Sequence, residues 1–108
     1  MVGSQTAPTF VLVHGAWADE ESALFAAVQR PIHGACLQEK APKPLWRTLS
    51  SWYLLAEQDR MINPETQEFM ARRMKATLRR LDVDHTPIAT APDRVVELLL
   101  EAGKSVSA

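Results

Sequence analysis

Two short runs constrain this chain more than anything else in it. Trp52 to Ala56 (WYLLA) is apolar throughout, and Thr9 to Val13 (TFVLV) is apolar on both sides of its pleat. Side chains of a strand alternate between two faces, so a run that is apolar on consecutive positions needs cover on both faces at once. That is the setting of a strand inside a parallel sheet with helices packed over it. With 108 residues in all, the chain has room for one small domain spanning 1–108, and no second unit is expected.

The segments between these runs carry helix signals. Ser22 can cap a short helix over Ala23 to Gln29, which Pro31 ends. Asn63 caps a second, with Pro64 in its first position and Glu65 in its first turn. Its buried stripe is read as Phe69, Met70 and Met74, with Glu68 and Arg72 facing water. A third strand, about Leu78 to Val83, sets Leu81 and Val83 against Arg80 and Asp82, the alternation of an edge with one wet face. The last helix is expected to start near Pro92, with Asp93 at the positive end of its dipole. Gly103 should stop it, and Val95, Val96, Leu99 and Leu100 form its apolar face. Gly34, Pro42 and Pro44 make 32–49 a loop with at most one helical turn. The order β-α-β-α-β-α predicts an α/β fold: a small parallel sheet of about three strands with packed helices. Residues 1–7 and 104–108 are read as disordered tails.

Composition excludes several classes of function. Twelve basic residues against thirteen acidic ones leave a formal charge of −1, which gives no basic face for nucleic acid. No stretch approaches the roughly 20 apolar residues of a membrane span. Met1 to Pro8 has no basic residue, and Phe10 to Val13 is too short for the apolar region of an export signal. Cys36 is alone and closes no internal disulfide. The expectation is a cytoplasmic chain without nucleic-acid or membrane partners.

Chemistry in sheets of this kind gathers where strands end at their carboxyl side. His14-Gly15-Ala16 follows the first strand, Glu57-Gln58-Asp59 the second, and Asp84-His85 the third. An amide-rich turn, a carboxylate and an imidazole would thus share one edge. An Asp that orients a His, with the His as general base, is two-thirds of a charge-stabilised nucleophilic site. Side chains placed this way should meet within about 2.6–3.2 Å.

At these residues the chain resembles the α/β-hydrolase family. TFVLVHGAWAD is similar to the opening strand and oxyanion turn of its esterase-like branch. PLWRTLSSWYLLAEQDRMINPETQEFMARRM and DVDHTPIATAPDRVVELLLEA resemble the closing third. The resemblance implies that Asp59 is the acid and His85 the base of a Ser-His-Asp triad. It also implies that Gly15 and Ala16 belong to the oxyanion hole, Ala16 through its backbone N–H. Relatives of this kind act on ester-type or other small carbonyl substrates by acyl transfer to serine, without a metal or organic cofactor.

The departure from that pattern is equally legible. The family's serine sits in a G-x-S-x-G elbow, a strained turn between strand and helix. None of Ser4, Ser22, Ser50, Ser51, Ser105 and Ser107 has a glycine two residues away on both sides. After Asp19-Glu20 the chain passes directly into ESALFAAVQRPI, which resembles a segment well past the elbow. The chain therefore reads as an internally shortened member, inactive alone, or as a non-catalytic binding domain or truncated gene product. Because the missing strands lie between the first strand and Trp52 to Ala56 in the family's sheet, an exposed strand edge and self-association through it are expected. Cys36 is the weak alternative nucleophile. Gly34-Ala35-Cys36 begins an elbow, and the order Cys36, Asp59, His85 fits nucleophile, acid and base. Yet Gln38 stands where the second glycine belongs and a helix end precedes it, so Cys36 reads as a small loop residue.

Overall fold

The computed structural model describes residues 30–31 and 33–107. The expected strand Thr9 to Val13, the turn at His14 to Trp17 and the helix over Ala23 to Gln29 lie outside the described residues. Within them the fold is α/β, built on a two-stranded parallel sheet. Strand β1 is Trp52–Ala56, helix α1 is Pro64–Met74, and strand β2 is Thr77–Leu81. A short helix α2, Pro87–Thr90, leads into α3, Pro92–Val106. Ahead of β1, two 3-10 turns, Gly34–Leu37 and Leu45–Arg47, interrupt the loop. No helix among the described residues is long and apolar enough to cross a membrane.

The strands run in register from Trp52 opposite Thr77 to Ala56 opposite Leu81. Helix α1 makes the crossover that a parallel pair requires. Its start is fixed by Asn63, whose side chain accepts the Thr66 N–H at 2.8 Å. Its end is fixed by Lys75, left-handed at φ 53°, whose N–H reaches the Ala71 and Arg72 carbonyls. Both α1 and α3 pack on β1. The core lies there: Leu55 is fully buried, and Ala56, Ala71, Val83 and Ala102 are the other buried apolar residues among those described.

Several expectations need correction. Strand β2 covers Thr77–Leu81 rather than Leu78 to Val83. Val83 is buried but beyond the ladder, its N–H turned back onto Leu81 O at 2.9 Å. The inward stripe of α1 is Gln67, Met70, Ala71 and Met74, at the spacing of one helical face, while Phe69 is 64% exposed. On α3, Val96 and Leu100 are exposed, and the two strands among the described residues are too narrow to cover an apolar face that broad. Gly103 does not end α3, which continues to Val106 and makes most of the expected C-terminal tail helical. A glycine stops a helix by turning left-handed, and no described glycine has a positive φ.

The two edges of the sheet differ. Thr77 N–H donates to Ser51 O at 2.8 Å and Glu57 N–H to Leu81 O at 2.9 Å, so in this ladder Tyr53 and Leu55 face β2 while Trp52, Leu54 and Ala56 present their backbone groups to the other side. The Gln67 side chain takes up Ala56. Among the described residues nothing pairs with the backbone of Trp52 or Leu54. The β2 side carries Arg79, bound to Glu101, and Arg80, bound to Glu68. Such charges suit a natural edge, whereas the β1 edge has the apolar character of an interior strand.

Candidate functional site

The site is built from the loops that leave the two strands at their carboxyl ends. After Ala56 the chain makes a tight turn. Asp59 N–H returns to Ala56 O at 3.3 Å, and Gln58 N–H crosses to Val83 O at 3.0 Å, which ties this turn to the one after β2. Asp59 then organises the remainder of its own turn: its Oδ1 accepts the Met61 N–H at 2.8 Å and the Ile62 N–H at 3.0 Å. With Oδ1 committed to backbone, Oδ2 is left to face the neighbouring loop.

That loop carries His85. Its Nδ1 lies 2.7 Å from Asp59 Oδ2, and the two side chains retain only 8% and 5% of their exposure. Asp84, beside it, turns the other way. Its Oδ1 accepts the Thr86 N–H at 2.8 Å and the hydroxyls of Thr86 and Thr90, closing the loop onto α2. Asp84 thus anchors the backbone from which His85 projects, while Asp59 meets the ring.

Burial alone would push the Asp59 carboxyl up. The Ile62 amide, the His85 ring and the Met61 amide outweigh it and hold the group below its ordinary carboxylate value. Asp59 is therefore ionised at neutral pH and accepts only. His85 Nδ1 must carry the shared proton, and Nε2 is left as the position that can take one. Tyr53, on β1, has its hydroxyl raised first by burial and then by the Asp59 charge, so it stays a neutral phenol near neutrality.

This polarity fixes the sign of a pH effect. A carboxyl whose folded pKa is depressed adds stability above its unfolded pKa, about 3.9 for Asp, and that stability drains away as pH falls towards the folded value. The chain should lose stability below about pH 4 more steeply than its Asp59→Asn variant. Thermal melts of both proteins across the acid range check this, and parallel curves would contradict it.

A family model for the alpha/beta hydrolase family matches residues 16–98. The chain belongs to the alpha/beta hydrolase family. The match contains both strands, Asp59 and His85, and extends into α3. No curated protein and no solved structure matches the chain.

For an alpha/beta hydrolase domain the described site is partial. Gly15 and Ala16 lie outside the described residues. Cys36 is exposed on the Gly34–Leu37 turn, whose N-cap is His33, and not on a strand-to-helix elbow. Among the described residues no group of three His, Cys, Asp or Glu side chains is placed to hold a metal ion. Two contributions went unread in the sequence: that of Gln67, and the loop-closing role of Asp84, which was placed only as His85's neighbour at the strand end. Gln67 had a signal, since it is a polar residue on the same helical face as Met70, Ala71 and Met74. Asp84 had a weaker one in the Asp-x-Thr-Pro spacing, where a carboxylate can accept the N–H two residues on.

Proposed function

We propose that this chain is an internally shortened alpha/beta hydrolase that keeps the acid Asp59 and the base His85 of a serine-hydrolase triad but has no serine nucleophile. It retains the edge at which ester-type or other small carbonyl compounds are bound by relatives, with Gly15 and Ala16 as the remaining oxyanion element, and lacks the acyl-transfer step. The observation that carries this reading is the buried 2.7 Å contact between His85 Nδ1 and Asp59 Oδ2. A structural ion pair needs no place where both strands end, and this pair sits at one, with no hydrogen bond to Nε2 from the described residues. The reading sets the protein in the cytoplasm, without cofactor, nucleic acid or membrane.

The experiment is labelling with a serine-reactive fluorophosphonate and, separately, with a thiol-reactive acyl donor. Neither should mark the chain stoichiometrically in a way that depends on His85. Full labelling of any one serine, or of Cys36 with loss in His85→Ala, would overturn the proposal and restore a working nucleophile.

A second reading, an interaction domain, is favoured by the β1 edge. Trp52 and Leu54 present backbone groups that nothing among the described residues meets, and Val96 and Leu100 add exposed apolar surface. Edges of that kind pair with other strands. The purified chain should self-associate, with a mass by light scattering that rises with concentration. A concentration-independent monomer that melts cooperatively at high temperature would rule this out.

A further inference from the structure

Gln67 is the buried polar side chain whose presence the hydrophobic core does not explain. It is 3% exposed, and each of its hydrogen bonds ends on backbone. Oε1 accepts the Ala56 N–H at 2.9 Å, while Nε2 donates to Ala56 O at 3.0 Å and to Ile62 O at 2.8 Å. Ala56 ends β1, and Ile62 ends the turn that carries Asp59. One side chain on α1 therefore grips this turn at both of its ends.

The same turn sets the direction of the Asp59 carboxylate. The Ile62 residue is held on both sides, its N–H by Asp59 Oδ1 at 3.0 Å and its C=O by Gln67 Nε2. The Ala56 carbonyl likewise receives both Gln67 Nε2 and the Asp59 N–H. Because Oδ1 is fixed by the Met61 and Ile62 amides, the carboxylate has one oxygen left, and its position depends on where those amides stand. We infer that Gln67 is a positioning residue for the Asp59–His85 pair, clamping Ala56 to Ile62 so that Oδ2 faces His85 Nδ1. An apolar residue would fill the same space in the stripe and hold neither carbonyl. The inference deepens the reading of Asp59 and His85 as acid and base, but it is a claim about geometry and stands whether or not the pair turns anything over.

The test is therefore made on the pair itself by NMR. In Gln67→Met the His85 Nδ1–H signal should be lost to exchange and the Asp59 carboxyl should titrate closer to its ordinary range, with the strand amides of Tyr53 and Leu55 still protected. Ala102→Ser, which disturbs the buried side of α3, serves as the destabilised control. It should lower the melting temperature and leave both signals in place. Gln67→Glu, which keeps the length and the acceptor but donates nothing once ionised, should show the same loss at neutral pH. Where a variant fails to fold, the unaltered chain decides. The Gln67 Nε2 protons and His85 Nδ1–H should exchange with solvent at matching rates, since both are released when the turn opens. Unchanged Asp59 titration in a folded Gln67→Met, or Gln67 protons that exchange freely while His85 Nδ1–H stays protected, would overturn the inference. Absent ester turnover would leave it untouched and bear only on the functional reading.

Discussion

Hydrolysis of an activated aryl ester by this chain should be no faster than by its His85→Ala variant. In a serine hydrolase the base matters because a hydroxyl lies beside it; losing the nucleophile of a triad typically costs about 10⁶-fold in kcat, nearly as much as losing the whole triad. Here Asp59 meets His85 Nδ1, and on the proposed reading no serine hydroxyl stands beside Nε2 to give up a proton. The second oxyanion donor normally comes from the residue after the nucleophile, and on the proposed reading it is lost with the elbow. On the proposed reading any residual rate comes from binding and from the oxyanion element assigned to Gly15 and Ala16, and so does not depend on His85. Initial rates over a pH range check this for both proteins. A His85-dependent rate tenfold or more above the control, with an inflection near neutral pH, would show that a nucleophile exists. A Cys36→Ser variant would then show whether it is the thiol.

Legibility in the sequence depended on how local the governing physics is. The unbroken apolar run of Trp52 to Ala56 and the Asn63-Pro64-Glu65 start act over a few residues, and both elements stand in the structure where those signals place them. The juxtaposition of Asp59 with His85 was also readable, because parallel strands bring their carboxyl ends to one edge. Phe69 was not, since apolarity named it for the stripe while the helical spacing from Met70, Ala71 and Met74 points back to Gln67. Gly103 misled for a related reason: the residue type permits a left-handed stop, but the backbone enters it only if tertiary packing favours leaving the helix. Val96 and Leu100 show the opposite failure. Their pattern is that of a buried face, and the described sheet is too narrow to bury it.

That narrowness makes the core the most sensitive part of the molecule, and Leu55 its centre. Among the described residues it is the largest fully buried side chain, on the strand against which both α1 and α3 pack. The other buried apolar residues among those described are Ala56, Ala71, Val83 and Ala102, three of them too small to fill a void of leucine size. Truncating a buried leucine to alanine costs about 2–5 kcal/mol, with the upper end where the site cannot collapse. Ordinary domains hold only about 5–15 kcal/mol of stability, and small ones sit low in that range. Leu55→Ala should therefore leave much of the population unfolded at 25 °C, whereas Leu100→Ala, on an exposed position of α3, should change little. Denaturant titration followed by tryptophan fluorescence separates the two, because Trp52 stands at the start of the same strand. A Leu55→Ala midpoint within error of the unaltered chain would mean that the packing of α1 and α3 on β1 does not hold this fold together.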